Sequence, residues 1–243
     1  HPVQRAMPMI ELHQFRPFWG LPNASPFCMK VETYLRFRGI PYKVVPGGPR
    51  KSPTGKIPFI VEDGRSITDS EAIIHHFERR EPVHLDAGLS EAERATAFFV
   101  RELVEEQLYW QVTYMRWGDP AGWAVFRPDL VKYLPLGMHG PVLFLLRRML
   151  LRQMGQRGLT RADPQGAYAR GKGVLDALAG LLGDKPYFLG AEPRSLDMSL
   201  YAFLANILDQ PHGNPLQAHG KALVNLVGYC ARMKALCWQG WHL

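Results

Sequence analysis

The sequence predicts a small α/β unit followed by an all-helical region. Strand-like and helical runs alternate as far as Pro82, whereas no convincing strand pattern occurs beyond it. A length of 243 residues permits one large domain or two small ones. We therefore assign residues 8–82 to an α/β domain and residues 89–243 to an all-α domain.

The first helix has clear start and stop signals. Residues 10–15 form a predicted strand, and a turn-rich segment separates this strand from Ser25. Ser25 is a favourable N-cap, and Pro26 stands at the first helical position, where an N–H group has no helical partner in any case. Gly39 ends the helix, and residues 42–45 form the second predicted strand.

The rest of the α/β unit is predicted from turn and cap residues. Its elements are a loop at 46–55, a strand at 57–61, a turn at Asp63-Gly64, a short strand at 65–68 and a helix from Asp69-Ser70 to Phe77. An Asp-Gly pair between two strands is typical of a two-residue hairpin. The unit therefore begins as βαβ and ends as ββα.

Helical periodicity recurs in several stretches after Pro82. They are residues 89–114, 141–156, 163–182, 196–208 and 225–235. Ser90, followed three residues later by Glu93, predicts a capping box at the start of the first stretch. Residues 119–140 are rich in Pro, Gly and Trp, so we interpret them as an irregular excursion.

The composition is that of a soluble globular protein with anionic partners. Hydrophobic residues make up 47% of the chain, charged residues 21%, and the net charge is +7. Three cysteines do not make a disulfide framework or match a zinc site, so we expect a reducing compartment and no metal. The basic stretch at residues 147–161 lacks interleaved aromatics, and we expect no nucleic-acid partner.

We expect neither a signal peptide nor a membrane span. The opening HPVQRAMPMIELH has no apolar core of the length that a signal peptide needs. The longest apolar stretch, residues 142–151, is broken by Arg147 and Arg148 and is too short to cross a bilayer. Together with the cysteine usage, this predicts a cytoplasmic protein.

Four ordered motifs resemble the glutathione S-transferase superfamily. They are SPFC at residues 25–28, the Lys56-Ile57-Pro58 turn, the Asp69-Ser70 pair, and LGAEPRSLDMSLYAF at residues 189–203. Within that superfamily, WGLPNASPFCMKVETYLRFRGIPY and MRWGDPAGW are most similar to the failed-axon-connections and metaxin-like branch and its bacterial relatives. The resemblance implies a thioredoxin-like, glutathione-binding first domain, an all-α second domain, glutathione as co-substrate, and a homodimer.

One departure from the family pattern concerns the last motif. The family usually has Ser or Thr three residues before the buried aspartate, here Asp197, and this chain has Arg194 there. An arginine side chain cannot accept a backbone N–H bond. Either Ser195 shifts the helix start, or Asp197 caps the helix alone.

The resemblance makes Ser25 and Cys28 the candidate catalytic residues. A hydroxyl at a helix N-terminus can stabilise the thiolate of glutathione, and a drop of two pKa units requires roughly 2.7 kcal/mol. Alternatively, Ser25 is only an N-cap. Cys28 has no second cysteine for disulfide shuttling, so it either forms a mixed disulfide with glutathione or is a buried apolar residue.

The peptide part of glutathione is expected at Lys56, Ile57, Pro58, Asp69 and Ser70. A cis peptide bond at Pro58 would turn the backbone of Ile57 towards the cysteinyl unit, whereas a trans proline at a strand start is the alternative. Lys56 would meet a carboxylate or stay solvated. Ser70 would bind the γ-glutamyl carboxylate and Asp69 the ammonium group, unless the pair is only a helix cap.

A small electrophile is expected against the helical domain. The candidate residues of this second-substrate pocket are Tyr109, Trp110, Arg116 and Trp117, with Tyr114 and Trp123 nearby in sequence; core packing is the alternative for each. The sequence therefore predicts a glutathione transferase. The alternatives are a non-catalytic binding module that contacts a protein or a membrane surface, as the metaxin-like resemblance implies, and a glutathione-dependent thiol reductase that uses Cys28.

Overall fold

The computed structural model describes residues 9–48, 51–134, 137 and 139–241. The prediction about a signal peptide concerns the opening residues, and most of that stretch lies outside the described part. Two positions of the loop predicted at 46–55 and three positions of the excursion predicted at 119–140 also lie outside the described part.

The first half contains a four-stranded mixed sheet with strand order β2-β1-β3-β4. β1 is parallel to β2 and antiparallel to β3, and β3 is antiparallel to β4. The strands are β1 (Ile10–Gln14), β2 (Tyr42–Pro46), β3 (Phe59–Glu62) and β4 (Arg65–Thr68), and the helices of this half are α1 (Pro26–Arg38) and α2 (Ser70–Glu78). This is the predicted βαβ start followed by a ββα end.

Local signals account for the ends of these elements. Ser25 caps α1, and Gly39 takes the left-handed conformation, φ 64°, that stops it. Asp63 and Gly64 both have positive φ, 50° and 74°, as a two-residue hairpin turn requires. The Ile57-Pro58 peptide bond is cis, as predicted.

The second half is helical. Its helices are α3 (Glu91–Leu103), α4 (Tyr109–Thr113), α5 (Pro120–Tyr133), α6 (Pro141–Gln156), α7 (Pro164–Leu182), α8 (Ser195–Leu208), α9 (Pro215–Ala222) and α10 (Val224–Cys237). Two π-helical turns, Val104–Leu108 and Tyr114–Gly118, join α3 to α4 and lead from α4 towards α5. The capping box of Ser90 and Glu93 is present at the start of α3. Among the described residues, no helix combines the length and apolarity needed to cross a membrane.

The prediction of an irregular excursion at 119–140 is wrong for most of that segment. Asp119 caps α5 by accepting a bond from the Ala121 N–H at 2.9 Å, and Pro120 stands in the first turn. Pro128 lies inside the helix. Packing of Phe126 against Phe18, with ring centroids 5.7 Å apart, helps to hold this helix despite the lost hydrogen bond.

The sequence analysis also missed α9. Asn214 caps this helix by accepting bonds from Leu216 and Gln217 N–H groups, both at 3.0 Å. Pro and Gly residues surround it, and such residues normally indicate a loop. A helix of eight residues is too short to show periodicity against that background.

The unusual helix start at Arg194 is resolved by two aspartates. Asp197 accepts a bond from the Arg194 N–H at 2.8 Å and a second from the Phe188 N–H at 3.3 Å. Asp86, in the segment between the two halves, accepts bonds from the N–H and hydroxyl of Ser195 at 2.9 and 2.6 Å. Asp197 therefore caps its own helix from within the first turn. Asp86 satisfies the N–H of Ser195, which has no partner inside the helix.

The core joins the two halves through α8. Every residue of this helix from Leu196 to Leu208 is buried, and α8 packs against α1. Phe27 of α1 meets Phe203 of α8 edge-to-face, with centroids 5.4 Å apart. This contact places the N-terminus of α1 beside the helical half.

Candidate functional site

Ser25 stands at the N-terminus of α1 with a hydroxyl that can still donate. Its Oγ accepts a bond from the Cys28 N–H at 3.4 Å, which realises the predicted cap. A serine hydroxyl has one donor and two acceptor positions, and this bond uses an acceptor position rather than the proton. The helix N-terminus adds a partial positive charge at the same place.

The loop before Ser25 is held by Asn23, which sequence reasoning missed. Asn23 is buried; its Oδ1 accepts from the Ser25 N–H at 2.9 Å, and its Nδ2 donates to the Phe15 carbonyl at 2.9 Å. Asn206 of α8 donates to the Asn23 carbonyl at 3.3 Å. An Asn two residues before a capping serine is the Asx-turn signal that could have indicated this arrangement.

Cys28 lies one turn inside α1 and is completely buried. Burial raises the pKa of its thiol to about 12, although the Ser25 contact acts in the opposite direction. At neutral pH this group is a protonated thiol, and the thiolate is the form that reacts. The environment therefore favours the role of a small apolar residue over that of a nucleophile.

Strand register brings three predicted segments to one end of the sheet. His13 of β1 pairs with Phe59 of β3, and Phe59 pairs with Thr68 of β4. The Ile57-Pro58 turn leads into β3, and the Asp69-Ser70 pair follows β4. Both therefore lie at the same end of the sheet. β1 also ends there, and the loop to Ser25 begins.

The side chains at this end differ in exposure. Lys56 is exposed, Ile57 is half-buried, and Pro58 and Ser70 are buried. Asp69 has φ 76°, a left-handed conformation that is rare outside glycine and that clusters at functional sites. Its Oδ1 accepts bonds from the Glu71 and Ala72 N–H groups at 3.0 and 3.1 Å, so it caps α2. The cap and a ligand can coexist, because the second carboxylate oxygen is not used in these bonds.

A buried lysine next to this site also escaped the sequence analysis. Lys30 of α1 has no exposed surface, and its ammonium lies 2.5 Å from Glu71 and 2.6 Å from Glu105. Ser199 of α8 donates to the same Glu105 oxygen at 2.7 Å. The network ties the first turn of α2 to the helical half, and a lysine within a helical pattern offered no sequence signal for it.

The four residues predicted for a second-substrate pocket separate into two places. Tyr109 is half-buried beside Phe27, with ring centroids 5.6 Å apart. Arg116 is buried and donates to the carbonyl of Ala24, the residue before Ser25, at 2.5 Å. These two lie against the N-terminal end of α1. Trp110 instead packs under Arg157, whose guanidinium carbon is 4.0 Å from the ring centroid.

Trp117 belongs to an aromatic cluster that covers the loop before Ser25. Its members are Phe18, Trp19, Trp117, Trp123 and Phe126, with neighbouring centroids 5.1–6.4 Å apart. Trp19 donates from its indole nitrogen to Asp129 at 2.9 Å. The cluster depends on α5, which is why the sequence did not reveal its extent.

A cavity of about 380 Å³ lies elsewhere, between α2, α3 and the start of α8. Its lining includes Glu71, His75, Arg94 and Arg101. Ser25 and the Ile57-Pro58 turn do not line it. The described residues contain no group of three or more His, Cys, Asp or Glu side chains arranged to hold a metal ion.

Comparison with known proteins identifies the family. Residues 26–122 match the model of the glutathione S-transferase N-terminal domain, and residues 171–233 match that of the glutathione S-transferase C-terminal domain. The chain is 34% identical over 233 residues to the isoprene-epoxide–glutathione S-transferase of Rhodococcus sp. (strain AD45), covering 93% of this chain and 98% of that protein. The chain therefore belongs to the glutathione S-transferase family.

Two further relatives confirm the branch indicated by the sequence. Failed axon connections of Drosophila melanogaster is 30% identical over 246 residues, and the match covers 96% of this chain but 59% of that protein. Metaxin-3 of Xenopus laevis is 32% identical over 235 residues, with 91% and 74% covered.

Solved structures confirm the fold. A beta-etherase from Sphingobium sp. strain SYK-6 superposes with a TM-score of 0.63 at 18% identity, covering 93% of this chain and 95% of that one. A rice glutathione S-transferase in complex with glutathione gives a TM-score of 0.57 at 17% identity, covering 95% and 89%.

Proposed function

We propose that this protein transfers glutathione to a small electrophile, with Ser25 donating a hydrogen bond to the glutathione sulfur. The observation that carries the proposal is the convergence at one end of the sheet of the Ser25 loop, the cis Ile57-Pro58 turn and the Asp69-Ser70 pair. Each of these segments offers a different kind of group: a hydroxyl donor, strand-like backbone, and a helix N-terminus with a carboxylate.

Each part of glutathione finds a suitable partner in this arrangement. The backbone of Ile57 would pair with the cysteinyl unit, strand to strand, and Lys56 would meet a peptide carboxylate. The Ser70 hydroxyl and its amide would bind the γ-glutamyl carboxylate, and the unused oxygen of Asp69 the ammonium group.

The reaction needs only a stabilised thiolate and a positioned electrophile. The thiol proton passes to solvent, and the Ser25 hydroxyl and the α1 N-terminus stabilise the anion. The thiolate attacks carbon, forms a carbon–sulfur bond and expels the leaving atom with its electron pair. An epoxide is a suitable class of electrophile, because ring opening yields an alkoxide that takes a proton from water. The printed name of the Rhodococcus relative supports this class, as do the apolar surfaces of Tyr109 and Trp117.

We place the reaction in the cytoplasm and in a homodimer. Three cysteines, all free and buried among the described residues, suit a reducing compartment. Exposed Phe98 and Phe99 on α3, 56% and 68% exposed, offer an apolar surface to a second copy.

The proposal is tested by calorimetric titration of glutathione into the wild type and Ser70→Ala, then by conjugation kinetics of Ser25→Ala. We expect Ser70→Ala to abolish binding, and Ser25→Ala to lower kcat at least tenfold, about 1.4 kcal/mol, with little change in affinity. Ser90→Ala is the matched control, because it removes an N-cap serine from α3 instead. No binding by the wild type at millimolar glutathione would refute the proposal.

A second candidate function, contact with a membrane surface, is favoured by α6. Phe144, Leu145 and Met149 are 64%, 62% and 49% exposed, and Arg148 and Arg152 are exposed on the same helix. Exposed apolar and basic side chains on one helix suit an anionic lipid surface. Sedimentation with phosphatidylserine vesicles tests this. Binding that is lost in a Phe144→Ser/Leu145→Ser variant supports it, and failure of the wild type to sediment refutes it.

A further inference from the structure

Arg116 is a buried cation whose observed partners are all neutral. The residue is 5% exposed. One terminal nitrogen donates to the Ala24 carbonyl at 2.5 Å, and the other donates to the side-chain oxygen of Asn206 at 2.8 Å. The remaining nitrogen, Nε, is buried and has no hydrogen-bond partner.

The other buried cation of the described residues, Lys30, is paired with two carboxylates, Glu71 and Glu105. The half-buried Arg38 is likewise paired, with Glu78 at 2.5 Å. No carboxylate in the described residues comes within 4.0 Å of Arg116. Its positive charge is therefore uncompensated where it is buried.

An unpaired buried charge is costly for folding. The loss of hydration on burial is normally offset by a nearby opposite charge. Burial lowers the pKa of Arg116 to about 10, so the guanidinium still carries its charge at neutral pH. Such a group creates a positive electrostatic potential around it, which favours the binding of an anion.

The position of this charge points to one anion. Ala24, which accepts from Arg116, directly precedes Ser25, and Asn206 links Arg116 to Asn23 of the same loop. The guanidinium carbon is 6.0 Å from the Trp19 ring, so aromatic surface rather than water covers one side. The cation is therefore bonded to the residue that directly precedes the serine of the proposed glutathione site.

We propose that Arg116 supplies the positive charge that balances the glutathione thiolate beside Ser25. This inference rests on the proposed transferase function and extends it, because it assigns the counter-charge to the helical half. The thiol proton leaves for solvent, and the charge of Arg116 stabilises the sulfur anion that remains. Ser25 donates a hydrogen bond to the sulfur. Arg116 stabilises the sulfur anion through the electric field of its charge at the loop before Ser25.

The experiment measures the pKa of bound glutathione from the ultraviolet absorbance of its thiolate as a function of pH. Arg116→Gln keeps a donor for the Ala24 carbonyl but removes the charge, whereas Arg116→Lys keeps the charge. We expect Arg116→Gln to raise the thiol pKa by about one unit or more, a tenfold loss of thiolate near neutral pH. We expect Arg116→Lys to stay close to the wild type, and glutathione affinity to change little in both variants.

Arg147→Gln is the matched control. Arg147 also donates to a carbonyl, that of Trp117 at 3.2 Å, and stacks on Trp123 at 4.3 Å, but unlike Arg116 it forms no hydrogen bond to the loop before Ser25. We expect it to leave the thiol pKa unchanged. An Arg116→Gln protein that binds glutathione with the wild-type thiol pKa overturns the inference and leaves the proposed function intact.

A second variant guards against misfolding of Arg116→Gln. Asn206→Asp places a carboxylate on the guanidinium and compensates its charge while Arg116 stays in place. We expect the thiol pKa to rise in this variant too, and an unchanged value overturns the inference. If the wild type does not bind glutathione at all, the proposed function fails and this inference fails with it.

Discussion

The side chain of Asn23 accepts a hydrogen bond from the backbone N–H of Ser25 at 2.9 Å. The same side chain donates to the carbonyl of Phe15 at the end of the first strand region. One buried amide therefore fixes the path of the chain between β1 and α1. The orientation of the Ser25 hydroxyl depends on this bond, although Asn23 itself need not touch a substrate.

Asn23→Ala should therefore reduce conjugation and stability together. Leaving the Phe15 carbonyl and Ser25 amide without partners should lower the free energy of unfolding by about 1–3 kcal/mol. We expect kcat to fall about tenfold, because the hydroxyl loses its fixed direction. Asn214→Ala is the control, since it removes an Asn that caps α9 in the same way. Equal loss of kcat in both variants would mean that the effect is only one of stability.

Cys28→Ala should retain conjugation activity. The thiol is buried and its pKa is raised to about 12, so it contributes no thiolate at neutral pH. We expect kcat/KM within about twofold of the wild type, with a moderate loss of thermal stability from the small cavity. Cys230→Ala, another buried thiol, is the control. Complete loss of a glutathione-dependent reductase activity in Cys28→Ala alone would contradict this and restore the reductase alternative.

Asp197 should make stability fall as the pH rises through its range. Burial raises the pKa of this carboxyl from 3.8 to about 6 in the fold, although the Arg194 and Phe188 amides act in the opposite direction. The native state therefore binds the proton more tightly than the unfolded chain. The stabilisation is fully present below the unfolded pKa, near 4, and is lost as the pH passes 6.

The measurement compares urea unfolding of the wild type and Asp197→Asn from pH 4 to pH 7. We expect the free energy of unfolding of the wild type to fall by about 2 kcal/mol relative to the variant across this range. The comparison cancels the titration of the other carboxyls, which both proteins share. Parallel curves for the two proteins would show that the pKa of Asp197 is not raised in the fold.

Lys30→Met should be strongly destabilising. Lys30 is fully buried between Glu71 and Glu105, and its removal takes the cation from Glu105, while Glu71 keeps its ion pair with Arg101 at 3.2 Å. Breaking a buried ion pair by removing one partner costs about 3–5 kcal/mol. Lys43→Met, at an exposed position of β2, is the control and should change the unfolding midpoint little. A small effect at Lys30 would mean that water reaches the carboxylates.

Cap and turn residues made most of the α/β unit predictable from the sequence. Ser25 and Gly39 mark the ends of α1, and Asp63-Gly64 marks the hairpin, because each depends on backbone geometry within a few residues. The same local rules failed at α5 and α9. There Pro and Gly signal a loop, whereas packing of Phe126 on the Ser25 loop and capping by Asn214 stabilise helices.

The candidate site was predictable as a set of motifs but not as an arrangement. Ser25, Pro58 and Ser70 were found by local signals and family resemblance. Their meeting at one end of the sheet follows from the register of Phe59 with His13 and Thr68.

Local sequence patterns were therefore sufficient for the family, the order of elements in the α/β unit and the identity of the serine at the start of α1. Tertiary structure alone decided which distant groups surround that serine. Arg116 is separated from Ala24 by 92 positions, and Asn206 from Asn23 by 183, yet each pair is joined by a hydrogen bond. Capping and turn formation depend on neighbours in the chain, whereas the burial of a charge depends on how the two halves pack.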